Sequence, residues 1–196
     1  ASATHYLDIT GEMGVFESIL HRGEVARKAG VALLPGVGFD VVPSDCLAAT
    51  LARALPDATH LDLAFTSDRG SASRGTLRTA VEALPHVGAE RRDGRIVSTA
   101  LAHDARRIEF GCGSRWTMTI PWGDVSTAYH TTGIPNIRVY TGTPERRIRQ
   151  LRRLRPLLPL VGTTPVKRAL QWWIGRTVVG PDAETRGEAR VHLWGE

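Results

Sequence analysis

The sequence predicts an α/β protein in two parts: the last strands of a parallel sheet over residues 1–56, then an α+β domain with a mixed or antiparallel sheet over residues 57–196. Three observations carry that prediction. In residues 30–45, GVALLPGVGFDVVPSD, a short apolar run ends at Pro35, a Gly36-Val37-Gly38 turn follows, and a helix begins near Pro43 with Leu47, Leu51 and Leu55 on one face. Upstream, residues 4–9 read as a buried strand and 13–29 as a helix, so a strand–helix–strand unit precedes the turn; such a crossover requires parallel strands. Beyond Pro56, runs of short strands with occasional helices replace that rhythm.

The first strand closes at residues 8–11. The helix that follows has Val15, Ile19 and Leu20 as apolar positions and Gly30 as its stop. The second strand occupies 31–35. A consequence follows from geometry alone: loops 8–12 and 36–42 leave the carboxyl ends of neighbouring parallel strands, so both lie on one rim, where open α/β sheets bind ligands. Further on, strands are expected at 60–65, 107–110, 116–120 and 137–141, with a hairpin turn at Arg91-Arg92-Asp93-Gly94-Arg95. Helices are expected at 76–84, 145–155 and 165–174. Residues 188–194 read as a strand cut off before its hairpin partner.

The chain's 196 residues are enough for one core, or one core plus part of another. No apolar run approaches the ~20 residues of a membrane span. Cys46 and Cys112 sit in unrelated contexts without metal-ligand spacing, which points to free thiols in a reducing cytoplasm and to no metal site. Only Lys28 and Lys167 are lysines, and the arginines crowd at 146–155 without interleaved aromatics. The net charge of +5 therefore does not read as a nucleic-acid footprint.

The glycine-rich turn is a weak ligand signal. A dinucleotide fingerprint needs a third glycine where this chain has Val41, and Gly111-Cys112-Gly113 has Trp116 in the third place. A tight turn that needs two glycines explains 36–38 as well. Asp8, Thr10, Gly11 and Glu12 close the first strand, where Thr10 suits a helix cap and the acids favour the helix dipole. At 39–45, Ser44 or Asp40 suits a cap; the other reading aims the helix N-terminus at developing negative charge. Cys46, in the first turn, reads as a small buried residue. Arg74, Gly75, Thr76 and Arg78 fit either a capped helix start or an anion site.

Residues 121–133 are chemically the richest. Pro121-Trp122-Gly123 turns, Asp124 is expected to cap, and Gly133 before Ile134-Pro135 stops a short helix. One face carries Asp124, Thr127, His130 and Thr131, and the other Val125, Ala128 and Tyr129. Hydroxyls and an imidazole, in place of long charged side chains, suit a cleft wall that hydrogen-bonds a ligand across from the 36–45 corner. His130 is either a proton donor there or a structural histidine. The helix at 145–155 groups Ile148, Leu151 and Leu154 against a solvated arginine face. With Leu157, Leu158, Leu160, Trp172 and Trp173 beyond it, this region suits a subunit interface or peripheral contact with a membrane surface.

Four blocks in one order, HYLDITGE (5–12), PGVGFDVVPSD (35–45), SRGT (73–76) and PWGDVSTAYHTTGIPNI (121–137), closely resemble the saccharopine dehydrogenase-like oxidoreductases, and among them the branch of trans-acting enoyl reductases. That resemblance implies a Rossmann-type sheet, NAD(P) as cofactor, and hydride transfer to a C=C or C=N bond of a bulky substrate, lipid-linked ones included. It places the loop with Asp8, Thr10 and Gly11 beside the nicotinamide end of the cofactor. With the residue chemistry above, cofactor contact is expected also at Gly36, Gly38, Phe39 and Asp40, substrate contact at Ser44, Arg74, Thr76, Asp124 and Thr127, and His130 is the expected proton donor. A homodimer formed through the second domain is expected. Family members begin with a βαβ unit carrying G-x-G-x-x-G, which has no counterpart here. The chain is thus expected to be a fragment, with NAD(P) bound mostly by the missing N-terminal segment. A non-catalytic, lipid- or membrane-associated interaction module of the same fold is the alternative.

Overall fold

In the segment HLDLAFTS, apolar side chains fall on alternate positions, and the intervening residues are short or paired, so the strand can be enclosed on both faces. This strand, His60–Ser67 (β3), lies in the interior of the larger sheet. The computed structural model describes residues 3–68, 88–157 and 190–196, with Arg168, Trp172, Trp173, Arg176 and Thr177. The predicted helix at 76–84, most of that at 165–174, and Arg74 and Thr76 lie outside the described residues.

The chain is α/β, with two separate sheets. The small one pairs Tyr6–Leu7 (β1) with Leu33–Leu34 (β2) in parallel, Tyr6 opposite Leu33. The crossover between them is two helices, Met13–Leu20 (α1) and Gly23–Ala29 (α2), not the single predicted one; α2 ends at Gly30 in a left-handed conformation. The first strand is also not buried: Tyr6, Leu7, Ile9 and Leu34 are all exposed. Val42–Ala54 (α3) follows, with Pro43 in its first turn.

The large sheet has seven strands: β3, Ala89–Arg92 (β4), Arg95–Ser98 (β5), Ala105–Phe110 (β6), Gly113–Thr119 (β7), Asn136–Gly142 (β8) and Val191–Gly195 (β9). It is mixed: β3 and β8 run parallel, Leu61 opposite Ile137, and the other pairs are antiparallel. The predicted hairpin turn joins β4 to β5 through Asp93 and Gly94. Strand β9, expected to end unpaired, instead lies antiparallel to β3 along its whole length, Phe65 opposite Leu193. Its partner is distant in sequence, a pairing that local pattern does not reveal.

On one face of this sheet sit α3 and Asp124–Thr132 (α4), which meet each other as well as the strands. The main core gathers Ala48 of α3, Leu61 and Leu63 of β3, Val125 and Ala128 of α4, and Ile137 and Val139 of β8. It therefore runs across Pro56, since α3 precedes that residue and β3 follows it. On the other face a smaller core joins Ala64, Ile108, Phe110 and Tyr140. Arg138 holds Asp62 in a two-pronged ion pair at 2.9 and 2.8 Å, and Arg106 adds a third contact at 2.9 Å. Glu145–Leu154 (α5) buries Ile148, while Arg152 and Arg155 donate to the carbonyls of residues 101–103. Those two arginines are fasteners of a loop.

Candidate polar site at the joint of the two sheets

The rim of the small sheet is organised by Asp8. Its carboxylate accepts the backbone N–H groups of Thr10 at 3.0 Å and Gly36 at 2.9 Å, and the Tyr6 hydroxyl. Burial alone would raise its pKa, but those three donors hold it below the ordinary carboxylate value. Loops 8–12 and 36–40 are thus tied together on one rim. Thr10 does not cap α1: its hydroxyl accepts the N–H of Glu12 at 3.2 Å, and no side chain caps that helix.

The Gly36-Val37-Gly38 turn does not form an anion cradle. Two of its N–H groups are engaged, Gly36 with the Asp8 carboxylate and Val37 with the Asp8 carbonyl at 2.8 Å. The glycine at 36 answers to packing. Its φ is +70°, and a Cβ there would come within 2.6 Å of the Phe16 ring. Gly123 has the same tenant: a Cβ would fall 2.5 Å from the Val41 side chain and 2.8 Å from Phe16. Phe16 and Val41, both buried, fill the notch between the two glycines and lock the small sheet to the start of α4. Gly11 is similarly close to the Asp40 carboxylate and Gly38 to Ile9. These loops consequently do not fit the pyrophosphate of a dinucleotide. What the rim presents outward is apolar: Ile9, Val37 and Phe39.

Beside this notch, α3 and α4 enclose a polar cluster. Asp124, in the first turn of α4, is 0% exposed. It does not cap the helix, and among the described residues neither carboxylate oxygen has a hydrogen-bond partner of good geometry, although the Ser44 hydroxyl lies close by. Enclosure pushes its pKa up to about 7; the nearby Ser44 hydroxyl opposes the shift, and Asp45 and Asp40 add to it. Asp40 is itself raised by burial. Thr131 donates to Asp45 at 2.6 Å, and the Trp122 indole N–H donates to the Asp40 carbonyl. The other Asp45 oxygen and the Thr127 hydroxyl are buried without partners among the described residues. Neither Ser44 nor Asp40 caps α3; Ser44 donates to the Val41 carbonyl at 3.2 Å. Cys46, expected to be buried, is exposed.

The structure thus brings Asp40, Ser44, Asp124 and Thr127 together and places Asp8, Thr10, Gly11, Gly36, Gly38 and Phe39 along the adjoining rim. His130 stands apart. Six residues beyond Asp124, it lies about 9 Å further along α4 at ~1.5 Å per residue, and its ring faces Glu17 of α1 at 3.9 Å. The expected single polar face therefore divides. Thr131 turns to α3, whereas Ser126 and His130 turn to Glu17, which accepts Ser126 at 2.6 Å and the buried Arg91 at 3.0 Å. Nor does the Asp124 face line an open cleft; α3 closes over it.

Sequence reasoning noted Asp45 without giving it a role, and it missed Glu17 and Arg91. Glu17 carries a detectable signal, as the lone acid inside the apolar run MGVFESIL. Arg91 carries none, since it looks like one more arginine of a turn. An apolar groove lined by Ile19, Leu20, Ala26, Val31 and Leu33 shares no residue with the polar cluster. Among the described residues no helix is long and apolar enough to cross a membrane. A scan against protein-family models and a search of curated proteins each found no match to the chain.

Proposed function

We propose that the chain is the distal part of an NAD(P)-dependent oxidoreductase of the saccharopine dehydrogenase-like kind, reducing a C=C or C=N bond of a bulky substrate, lipid-linked ones included. In this reading β1 and β2 are the last strands of a Rossmann-type sheet. The single observation in its favour is the rim: a parallel strand pair whose two exit loops are fastened by Asp8 beside the enclosed Asp40–Asp124 cluster. NAD(P), when bound, supplies the hydride. The loops here lack a phosphate cradle, so a nucleotide-binding βαβ unit preceding this chain has to hold the pyrophosphate. Ile9, Val37 and Phe39 then offer an apolar wall to the nicotinamide end or to the substrate. The proton falls to His130, because its side chain is 42% exposed whereas Asp124 is enclosed.

The test is NADPH and NADH binding by the 196-residue chain and by the same chain extended upstream through a βαβ unit. The extended protein is expected to bind one of them with micromolar affinity and oxidise it with an enoyl or imine substrate. His130→Gln is expected to lower turnover by about one to three orders of magnitude with little change in cofactor affinity. No binding by the extended protein sinks the proposal; micromolar binding by the 196-residue chain alone sinks the division of labour. A lipid- or membrane-surface module is the second reading, favoured by Trp172 and Trp173, which are 60% and 55% exposed. Vesicle binding without any nicotinamide binding would select it.

A further inference from the structure

Strand β3 does not stop pairing at Ser67. The Asp68 N–H donates to the Arg190 carbonyl at 3.1 Å, continuing the ladder with β9. Because Ser67 faces Val191 and Thr66 faces His192, residues 66, 68 and 192 project from the same side of the sheet. Asp68 and His192 are diagonal neighbours there, with the His192 Nε2 3.1 Å from the Asp68 carboxylate. The third participant arrives from elsewhere. Phe110 pairs with Gly113 at the tip of the β6–β7 hairpin, which leaves Gly111 and Cys112 as its two-residue turn. Cys112 packs against the small core of Ala64, Ile108, Phe110 and Tyr140, so its position is set by buried neighbours. The turn depends on Gly113, whose φ is +103°. Among the described residues nothing lies within 4 Å of where a Gly111 Cβ would stand.

One sulfur, one imidazole nitrogen and one carboxylate oxygen from these residues lie within 4.8 Å of one another. A tetrahedral zinc ion, with bonds of about 2.0–2.3 Å, holds its ligand atoms roughly 3.3–3.8 Å apart. The three side chains are within small rotamer adjustments of that spacing. Calcium and magnesium demand oxygen ligands, of which there is one here; a mixed thiolate, imidazole and carboxylate set suits a borderline-soft divalent ion. Asp68 is exposed and the other two are half-buried, so a fourth position faces solvent. Arg115 lies near Asp68, but its guanidinium donates to the Ser114 carbonyl at 3.2 Å.

We propose that Asp68, Cys112 and His192 form a binding site for one zinc-class divalent cation, with water as the fourth ligand. The site clamps the β6–β7 hairpin to β3 and β9. It was illegible in the sequence because its ligands come from three segments with no shared spacing, and cysteine spacing alone excluded it.

The test is titration of the metal-free 196-residue chain with Co²⁺, followed by displacement with Zn²⁺. One equivalent of Co²⁺ is expected to give a sulfur-to-cobalt charge-transfer band with the visible bands of a tetrahedral ion, and Zn²⁺ to abolish both. Cys112→Ser is expected to remove the charge-transfer band. His192→Gln and Asp68→Asn are expected to weaken Co²⁺ binding by at least ~10–100-fold, the scale seen when even a supporting residue of a metal site is lost. Far-UV circular dichroism of each variant establishes that it is folded, and the exposed Asp68 is the safest of the three in that respect. Cys46→Ser is expected to leave everything unchanged. Failure of the wild-type chain to show the band overturns the proposal, as does a band that survives Cys112→Ser or affinities untouched by both other variants.

Discussion

The two sheets are built from similar amino acids and held by different means. Strands β1 and β2 contribute two residues each and leave Ile9 76% exposed beside them. Strands β3 and β8 pair through six positions and bury Leu61, Leu63, Ile137 and Val139 between helices and the opposite face. The small unit has no core of its own. It borrows one through Phe16, which packs with Val41 against Gly36 and reaches across to Gly123 at the start of α4, and through polar ties such as Glu17 to Arg91 and Ser126. The lesson is that parallel pairing of two short strands supplies little on its own, and the joint with α4 decides whether the unit is ordered.

The sharpest way to break that contrast is to empty the joint. Phe16→Ala is expected to cost about 3–5 kcal/mol, the usual range for removing a buried aromatic. The loss should concentrate in the small unit. In native-state hydrogen exchange, the Tyr6 N–H bonded to the Ala32 carbonyl should lose protection far more than the amides of β3 and β8. Uniform loss across both sheets would show that they unfold together.

A second test exploits the enclosed carboxyl beside the joint. Asp124 has a pKa of about 7 in the folded chain and an ordinary value of 3.8 unfolded. Across that window the folded state holds more protons, so stability falls as pH rises from about 4 to about 7 and the full penalty persists above. In Asp124→Asn that part of the slope should vanish. Unfolding free energies from urea titrations between pH 4 and pH 8 should diverge from wild type by a few kcal/mol at most, since three pH units correspond to roughly 4 kcal/mol. Parallel curves would show that Asp124 titrates normally. The smallest effect belongs to the outward rim: Ile9→Ser should shift stability by less than about 0.5 kcal/mol. A larger loss would reveal that Ile9 is covered in solution.

Much of the large sheet was legible because alternation and turn chemistry are local. The Asp93-Gly94 turn, the stop at Gly133 and the burial of Val125 and Ala128 all follow from short-range pattern. The parallel pairing of β1 with β2 was legible from the crossover length. Burial of the first strand was not, because apolar residues such as Ile9 and Leu7 carry no mark of which sheet, if any, covers them. Asp124 was singled out as a cap since acids favour helix starts; its enclosure depends on α3, some eighty residues earlier. The partition of α4's polar face between Asp45 and Glu17 likewise depends on two helices that approach from different sides.

Strand β9 sets a schedule for synthesis. Its residues join an edge of β3 that was made 124 residues earlier, as the Asp68–His192 separation shows. At ~5–20 residues per second a ribosome needs about 6–25 s to cover that distance. Until residues 136–142 emerge, β3 lacks its parallel neighbour, and until 191–195 emerge its other edge stays open. An apolar strand waiting with both edges unpaired is a target for chaperones and for its own copies on neighbouring ribosomes. Slow codons placed after position 142 would lengthen the time the β9 edge of β3 stays open, and truncation before 191 would leave that edge open permanently.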